Sequence, residues 1–382
     1  MPVERTLPTE EAAALLELTR ELADGELRPR VTDFERRGEF PRAVFRTLGG
    51  AGLLGLPYPE AYGGGAQPYE VYLQVIEELA GAWLAVGLGV SVHTLACYPL
   101  AAFGTAEQRE RLLPDLVGGD RLGAYCLSEP HSGSDAAALS TRAVADGADY
   151  VLTGVKAWVT HGGHADFYAI LARTSDDGAR GISCLLTPAD TAGLQPQPPE
   201  RKMGMSSSPT AQIVLDGARV PADRLLGAEG EGYRIALAAL DGGRLGIAAC
   251  AVGVAQAAVD YAVAYARERH QFGRPIADFQ GLSFLLADMA TQVEAGRALY
   301  LAAARRRDAG RPYGTEAAMA KLFCTDVAMR VTTDAVQVLG GYGYVEDHPA
   351  ERWMREAKVL QIVEGTNQVQ RLVIGRALAR GR

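Results

Sequence analysis

The sequence predicts an α+β protein of three domains: an N-terminal all-helical domain (residues 1–121), a small middle antiparallel β-barrel or sandwich domain (122–229) and a C-terminal four-helix bundle (230–382). Three observations carry this. Up to about residue 121, apolar residues recur at helical spacing. From Leu122 to Leu226 the chain breaks into short strand-like runs bounded by Gly, Pro, Asp or Ser. After Gly232 long alanine-rich stretches return, and no proline occurs between Pro221 and Pro275.

In the N-terminal domain, EEAAALLELTRELADGELRPRVTDFERR carries Leu15, Leu18 and Leu22 at helical spacing. PYEVYLQVIEELAGAWLAVGLGVSVHTLACYPLAAFG reads as apolar helices packed on one another. TAEQRERLLPDLVGG opens on a capping-box pattern, Thr105 followed three residues later by Gln108. In the middle domain the strand candidates are LGAYCLS, DYVLTGVKAWVTHG, ADFYAILARTS, GISCLLTP and AQIVLDGARVP. Their spacers are too short for a regular series of crossover helices, which argues against a doubly wound sheet. In the C-terminal domain a very long helix, from Tyr233 to Arg267, precedes GLSFLLADMATQVEAGRALYLAAARRRDAG and EAAMAKLFCTDVAMRVTTDAVQVLG. So many small residues suit close packing, within a bundle or against another subunit. PAERWMREAKVL and NQVQRLVIGRALAR complete the chain, the latter with Thr366 as N-cap and Val369, Leu372, Val373 and Leu378 on one side.

The totals exclude several functions. Apolar residues make up 48% and charged residues 22% of 382 residues, a globular composition. A net charge of -8 and the lack of a basic, aromatic-interleaved stripe argue against nucleic-acid binding. The five cysteines (Cys97, Cys126, Cys184, Cys250, Cys324) are never in CxxC pairs and read as buried thiols of a reducing compartment. The first 25 residues carry acidic side chains through their apolar stretch, unlike a signal peptide. No uninterrupted apolar run is long enough to span a bilayer. The expectation is a cytoplasmic protein with neither metal site nor membrane insertion.

Taken singly, the local motifs have two readings each. SEPHSGSDAA, Ser128 to Ala137, follows a predicted strand; it is a surface loop, or it turns amides and hydroxyls toward an anionic or ring-polar ligand. GGYGYVE, Gly340 to Glu346, ends a helical run and therefore is no dinucleotide fingerprint, which needs a preceding strand. RERHQFGRPI sets Arg267, Arg269 and Arg274 around Phe272, either as favourable cations at a helix end or as a pyrophosphate clamp. His161 and His164 in THGGHAD have no neighbouring ligand set, and GxSxG is absent. Finally, QIVEGTNQ places one carboxylate, Glu364, in a break between two helices, where it is a solvated turn residue or a group held for use.

The order and spacing of these strings resemble the acyl-CoA dehydrogenase family from about residue 10 to 380. AYCLSEPHSGSD is similar to one family signature and QVLGGYGYVEDHPAERWMREAK, Gln337 to Lys358, to the other. GVKAWVTHGG, RKMGMSSSPTAQIVLDGARVPADRLLG and YARERHQFG match between them in the expected order. The resemblance implies a homotetrameric flavoprotein of fatty acid β-oxidation, with FAD between the β domain and the C-terminal bundle. It would oxidise an acyl-CoA to the trans-2-enoyl-CoA and pass electrons to an electron-transfer flavoprotein. It assigns Tyr125, Leu127, Ser128, Trp158 and Thr160 to the flavin, and Gly133 and Ser134 to a loop shared by flavin and acyl-CoA. Arg269, Gln271, Phe272, Gln337 and Gly341 would reach the FAD of a neighbouring subunit, and Thr366 and Gln368 would close over the cofactor.

By the same resemblance Glu364 is the catalytic base. An α-proton beside a thioester is weakly acidic, so its removal needs both a base and stabilisation of the enolate oxygen. In the family the donors are the amide of the base residue and a ribityl hydroxyl of FAD, and desolvation strengthens the base. A minority of the family takes its base from the long helix, one residue before an arginine; here that position is Gly243, which cannot serve. Arg244 matches the arginine beside the active site, Asp241 a position toward the CoA, and Leu240 and Gly365 the substrate cavity. Trp83, Leu95, Tyr98 and Leu240 are bulky enough for a short or branched acyl tail, or belong to ordinary core. His131, Ser132, His161, Ser206 and Val363 depart from the usual residues. A flavin oxidase or monooxygenase on the same fold, or a dehydrogenase of carrier-protein thioesters, is the rival reading.

Overall fold

Thr9 starts the first helix by accepting a hydrogen bond from the Ala12 amide, with Glu10 and Glu11 in the favourable first turn. The computed structural model describes residue 3 and residues 5–380. The outermost positions of the two predicted helical domains (1, 2, 4, 381 and 382) lie outside the described residues. Helix α1 (Glu10–Leu22) continues through a single wide turn to Leu27 and is followed by α2 (Val31–Arg37) and α3 (Arg42–Gly50). The buried stripe of α1 is Ala12, Leu16 and Thr19, continuing to Ala23 and Leu27. The predicted stripe of Leu15, Leu18 and Leu22 lies off it, with Leu18 exposed. Small residues on the inner side let α1 approach α4 (Tyr69–Ala82) closely.

Helix α5 (Leu84–Phe103) is buried almost throughout, and α6 (Ala106–Val117) begins with the expected capping box. The Gln108 amide donates to Thr105 Oγ1 at 3.1 Å, and the Thr105 amide donates to Gln108 Oε1 at 2.8 Å. Gln108 Nε2 also donates to the carbonyls of Asp223 and Leu225, tying the helical domain to the sheet.

Eight strands form one open sheet that does not close into a barrel among the described residues: β1 (Gly123–Cys126), β2 (Arg142–Asp146), β3 (Asp149–Thr160), β4 (Phe167–Arg173), β5 (Ile182–Pro188), β6 (Leu194–Pro196), β7 (Thr210–Pro221) and β8 (Leu225–Leu226). The order is β6-β7-β3-β2-β4-β5-β8. Pairing is mainly antiparallel, but β1 runs parallel to β4, from Gly123 opposite Phe167. The β3–β7 ladder is irregular between Lys156 and Val159, where Trp158 adopts a φ of 59°. That irregularity turns the Trp158 ring outward, 64% exposed.

Helix α7 (Gly232–Glu268) is followed by a two-stranded hairpin, β9 (His270–Gln271) and β10 (Arg274–Pro275), then α8 (Gln280–Asp308), α9 (Gly314–Leu339), α10 (Ala350–Leu360) and α11 (Asn367–Ala379). α7, α8 and α9 lie side by side; α10 packs on α9 and α7 as the fourth member, and α11 lies on α9. Alanines such as Ala248, Ala255, Ala320 and Ala328 are fully buried at these seams. By length and hydropathy α5 and α7 could cross a membrane, but 89% and 67% of their most apolar windows are buried in the protein. α11 is inverted relative to expectation. It buries Asn367 and Gln370, whereas Leu372 and Leu378 are 50% and 65% exposed.

Candidate active site

The break between α10 and α11 is a tight turn in which Glu364 and Gly365 both take left-handed backbone, φ 55° and 85°. For a non-glycine residue this costs about 1–2 kcal/mol, so neighbouring groups must enforce it. Gln370 Nε2 donates to the carbonyls of Glu364 (3.2 Å) and Gly365 (2.8 Å). Lys321 Nζ donates to the Gly365 carbonyl at 2.9 Å and to Asn367 Oδ1 at 2.8 Å. Thr366 caps α11 through the Val369 amide, as its position predicts.

The turn aims the Glu364 side chain at α7. A Cβ at Gly243 would lie 2.5 Å from Glu364 Oε2, so absence of a side chain at 243 makes the room the carboxylate occupies. Although the residue is only half-buried, Oε2 is shielded from solvent and has no hydrogen-bond partner among the described residues. Burial raises this carboxyl to about 7, and the cations of Arg244 and Lys321 moderate the rise. Arg244 is buried and donates from Nη1 to Asp241 Oδ1 at 2.6 Å. Its Nε has no partner among the described residues.

Beside this group the end of β1 supplies Tyr125, whose buried hydroxyl is also unpartnered, and Leu127, which packs with Leu240 in one apolar cluster. Burial pushes the Tyr125 hydroxyl well above its ordinary value, and the charge of Glu364 adds to this. A small cavity of about 20 Å³, enough for one water, is lined by Tyr69, Thr94, Leu95, Tyr98, Gly243 and Arg307 among others. Leu95 and Tyr98, two of the residues expected beside the acyl chain, line this cavity. Trp83 does not; its Nε1 donates to Glu35 and Ser207 within the helical core.

The loop after β1 rests on a buried pair. Lys156 Nζ donates to Glu129 Oε1 at 2.8 Å and to the Leu127 carbonyl at 3.1 Å. The Glu129 carboxylate also accepts from the amides of Ser140 and Thr141. Burial alone would raise its pKa, but Lys156 and these donors bring it to about 2. The Ser128 carbonyl accepts from the Ala157 amide, and Gly133 and Ser134 lie exposed at the tip. Thr160 is half-buried at the end of β3. His161 follows at φ 66°, buried, its Nδ1 2.9 Å from the Gly123 carbonyl and its pKa lowered by burial to about 4, so the ring is neutral. Val363 packs against the helical core.

The remaining predicted residues form a separate, exposed group. Arg269, Gln271 and Phe272 lie on the hairpin, with Phe272 93% exposed. The Arg269 guanidinium sits 5.6 Å from the Tyr342 ring, beside Gly341 and one turn beyond the exposed Gln337. Gln368 is exposed on the first turn of α11. Lys156, Glu129 and Lys321 were missed from the sequence; a lysine inside an apolar run was the only available signal.

Three family models match in succession: the acyl-CoA dehydrogenase N-terminal domain over residues 9–120, the middle domain over 124–218 and the C-terminal domain over 230–379. The chain belongs to the acyl-CoA dehydrogenase family. An acyl-CoA dehydrogenase of Bacillus subtilis is 46% identical over 375 residues, covering 98% of this chain and 99% of the relative. The structure of butyryl-CoA dehydrogenase from Megasphaera elsdenii superposes with a TM-score of 0.96 at 41% identity, over 99% of this chain and 100% of the other. The prolyl acyl carrier protein oxidase AnaB superposes with a TM-score of 0.94 at 29% identity, over 97% and 100%. This acyl-CoA dehydrogenase is an FAD-dependent oxidoreductase acting on an acyl-CoA thioester.

Proposed function

We propose that Glu364 removes the α-proton of a short-chain acyl-CoA, and that Arg244, Asp241, Leu240, Gly365 and Ser134 hold the substrate beside it. The observation that carries this reading is the buried, unpartnered Oε2 of Glu364 in the space left by Gly243. A carboxylate deprived of water and of donors is a strong base, and a pKa near 7 leaves it substantially ionised at neutral pH. Its amide belongs to the same left-handed turn, which supports a second role as donor to the thioester oxygen. Arg244, clamped to Asp241, orients the thioester end and keeps the base from being neutralised by a direct salt bridge.

The residues present fit a flavin. The Trp158 ring is turned out of a strand irregularity, the Tyr125 hydroxyl is orphaned, and a Cβ at Gly133 would meet nothing within 4 Å. Tyr125, Leu127, Ser128, Gly133, Ser134, Trp158 and Thr160 would hold the ring system, with Thr366 and Gln368 closing over it. Held by these residues, FAD would supply the acceptor for the β-hydride. Arg269, Gln271, Phe272, Gln337 and Gly341 would serve the cofactor of a neighbouring subunit, a reading supported by a phenylalanine 93% exposed in the single chain. With the uncovered Leu372 and Leu378, this argues for a homotetramer. We place the enzyme in the cytoplasm, in fatty acid β-oxidation, with an electron-transfer flavoprotein as acceptor and domain divisions at 121/122 and 229/230.

The bulk of Leu95 and Tyr98 beside Gly243 favours a short acyl chain, and the likeness to AnaB makes a carrier-protein thioester the second candidate. The test is anaerobic mixing of the holoenzyme with straight C4–C16, isobutyryl, 2-methylbutyryl and isovaleryl thioesters, on CoA and on a carrier protein. Flavin bleaching fastest with C4 or a branched C4–C5 CoA thioester supports the proposal. Bleaching only with carrier-bound substrates overturns the CoA assignment, and bleaching with none overturns the reading of the site.

A further inference from the structure

Lys321, in the middle of α9, is fully buried yet forms no ion pair among the described residues. Burying an unpaired ammonium is costly, and the reason lies in what it holds. Two of its three protons go to the Gly365 carbonyl and to Asn367 Oδ1. α11 turns its polar residues, Asn367 and Gln370, inward onto this site while leaving leucines outside. Gln370 donates to the carbonyls of both turn residues, Gly365 among them. Asn367 is fixed in turn by Asp326, which accepts from its Nδ2 at 2.7 Å. The lysine is therefore bolted to the left-handed turn that carries Glu364.

The titratable groups around Glu364 come from four elements: Arg244 on α7, Lys321 on α9, and the uncharged phenols of Tyr125 on β1 and Tyr69 on α4. Arg244 already has Asp241 as bonded counter-ion. Among the described residues, Lys321 is influenced by the negative charges of Glu364 and then Asp326. We propose that Lys321 is a positioning residue for the base: through the Gly365 carbonyl it locks the turn that aims the Glu364 carboxylate, and its charge favours the ionised base. This rests on the reading of Glu364 as base. Burial lowers the Lys321 ammonium to about 7, against the pull of Glu364 and then Asp326, so base and counter-charge titrate in one range.

The experiment compares holoenzyme of wild type, K321M, K321Q and K321R by single-turnover flavin reduction with butyryl-CoA from pH 5.5 to 9.5. Infrared titration of the carboxyl stretch, with E364Q as blank, reads the protonation of residue 364 without turnover. K321M and K321Q should move both midpoints up by about one pH unit, the low end for loss of a nearby opposite charge. Reduction at pH 6 should then fall about tenfold, with unchanged FAD content. K321R stays charged where Lys321 titrates near 7, so its midpoint should lie at or below the wild-type value, at a lower plateau because a planar guanidinium cannot reproduce both bonds. K321Q retains a donor for the Gly365 carbonyl and carries the test if K321M does not fold. Unshifted midpoints in both uncharged variants overturn the proposal. Failure of the underlying reading would show separately, as a wild type that butyryl-CoA does not bleach or an E364Q that reduces normally.

Discussion

Replacing Gly243 by alanine puts a methyl group where the Glu364 carboxylate now sits. The added Cβ would lie 2.5 Å from Oε2, 2.9 Å from Cδ and 3.3 Å from Oε1. Because α7 is a 37-residue helix packed on several others, its backbone holds, and the flexible end of the glutamate retreats by about 0.5–1 Å. Two consequences of opposite sign follow. In a helix interior, alanine is favoured over glycine by about 0.5–1 kcal/mol, so stability should stay within about 1 kcal/mol of wild type and can exceed it. Catalysis should fall about 10²-fold, because a displacement near 1 Å removes the reacting geometry; that is about 2.7 kcal/mol of barrier. Denaturant unfolding and single-turnover flavin reduction, on protein with full FAD content, measure the two effects. Reduction at the wild-type rate would refute the placement of the carboxylate, and a loss of several kcal/mol in stability would show that the helix yields instead.

If Glu364 is the base, as proposed, its raised pKa means that flavin reduction at limiting substrate should rise with pH to a midpoint near 7 and fall about tenfold per unit below it; a flat profile from pH 5 to 8 contradicts the assignment. E364Q should lose about 10²–10⁴-fold in reduction and keep its FAD. Its stability gain has a definite sign. The folded pKa lies above the unfolded one, so the wild-type penalty is absent below about pH 4.5, grows up to about pH 7 and is constant beyond; denaturant unfolding at pH 4 and pH 8 should differ by up to about 3 kcal/mol in favour of the mutant at pH 8. Arg269→Ala should weaken FAD retention about tenfold or more and leave the melting temperature of the apoprotein unchanged, since the residue is exposed; equilibrium dialysis and a thermal scan decide. Lys156→Met leaves Glu129 buried without its cation and should cost about 3–5 kcal/mol, with K156M/E129Q costing less than the sum of the single changes by denaturant unfolding.

The legible features of this protein were those written in contiguous residues. The capping box at Thr105, the N-cap at Thr366 and the long helix after Gly232 depend on neighbours a few positions apart, and each formed as read. Burial faces were less legible, because periodicity gives the phase of a stripe but not the surface that covers it. On α1 the leucines are the expected core, yet the smaller Ala12 and Thr19 lie inside because α4 approaches closely there. On α11 the leucines lie outside and Asn367 and Gln370 inside, since the start of that helix meets the ammonium of Lys321 and the carbonyls of the turn. The site follows the same rule. Gly243 could be read as unable to act as a base; that it is the space the Glu364 carboxylate occupies depends on a contact across 121 positions of the chain. Lys321 stands in an alanine-rich run, and its place among apolar residues is the one local sign that it is buried for a purpose. Its partners are 44 and 46 positions downstream, in the turn whose lone carboxylate was the first sign of a reacting group. A helix of ordinary composition and an exposed-looking turn thus make one polar unit, and only their docking shows that the lysine holds the turn and the glycine opens it.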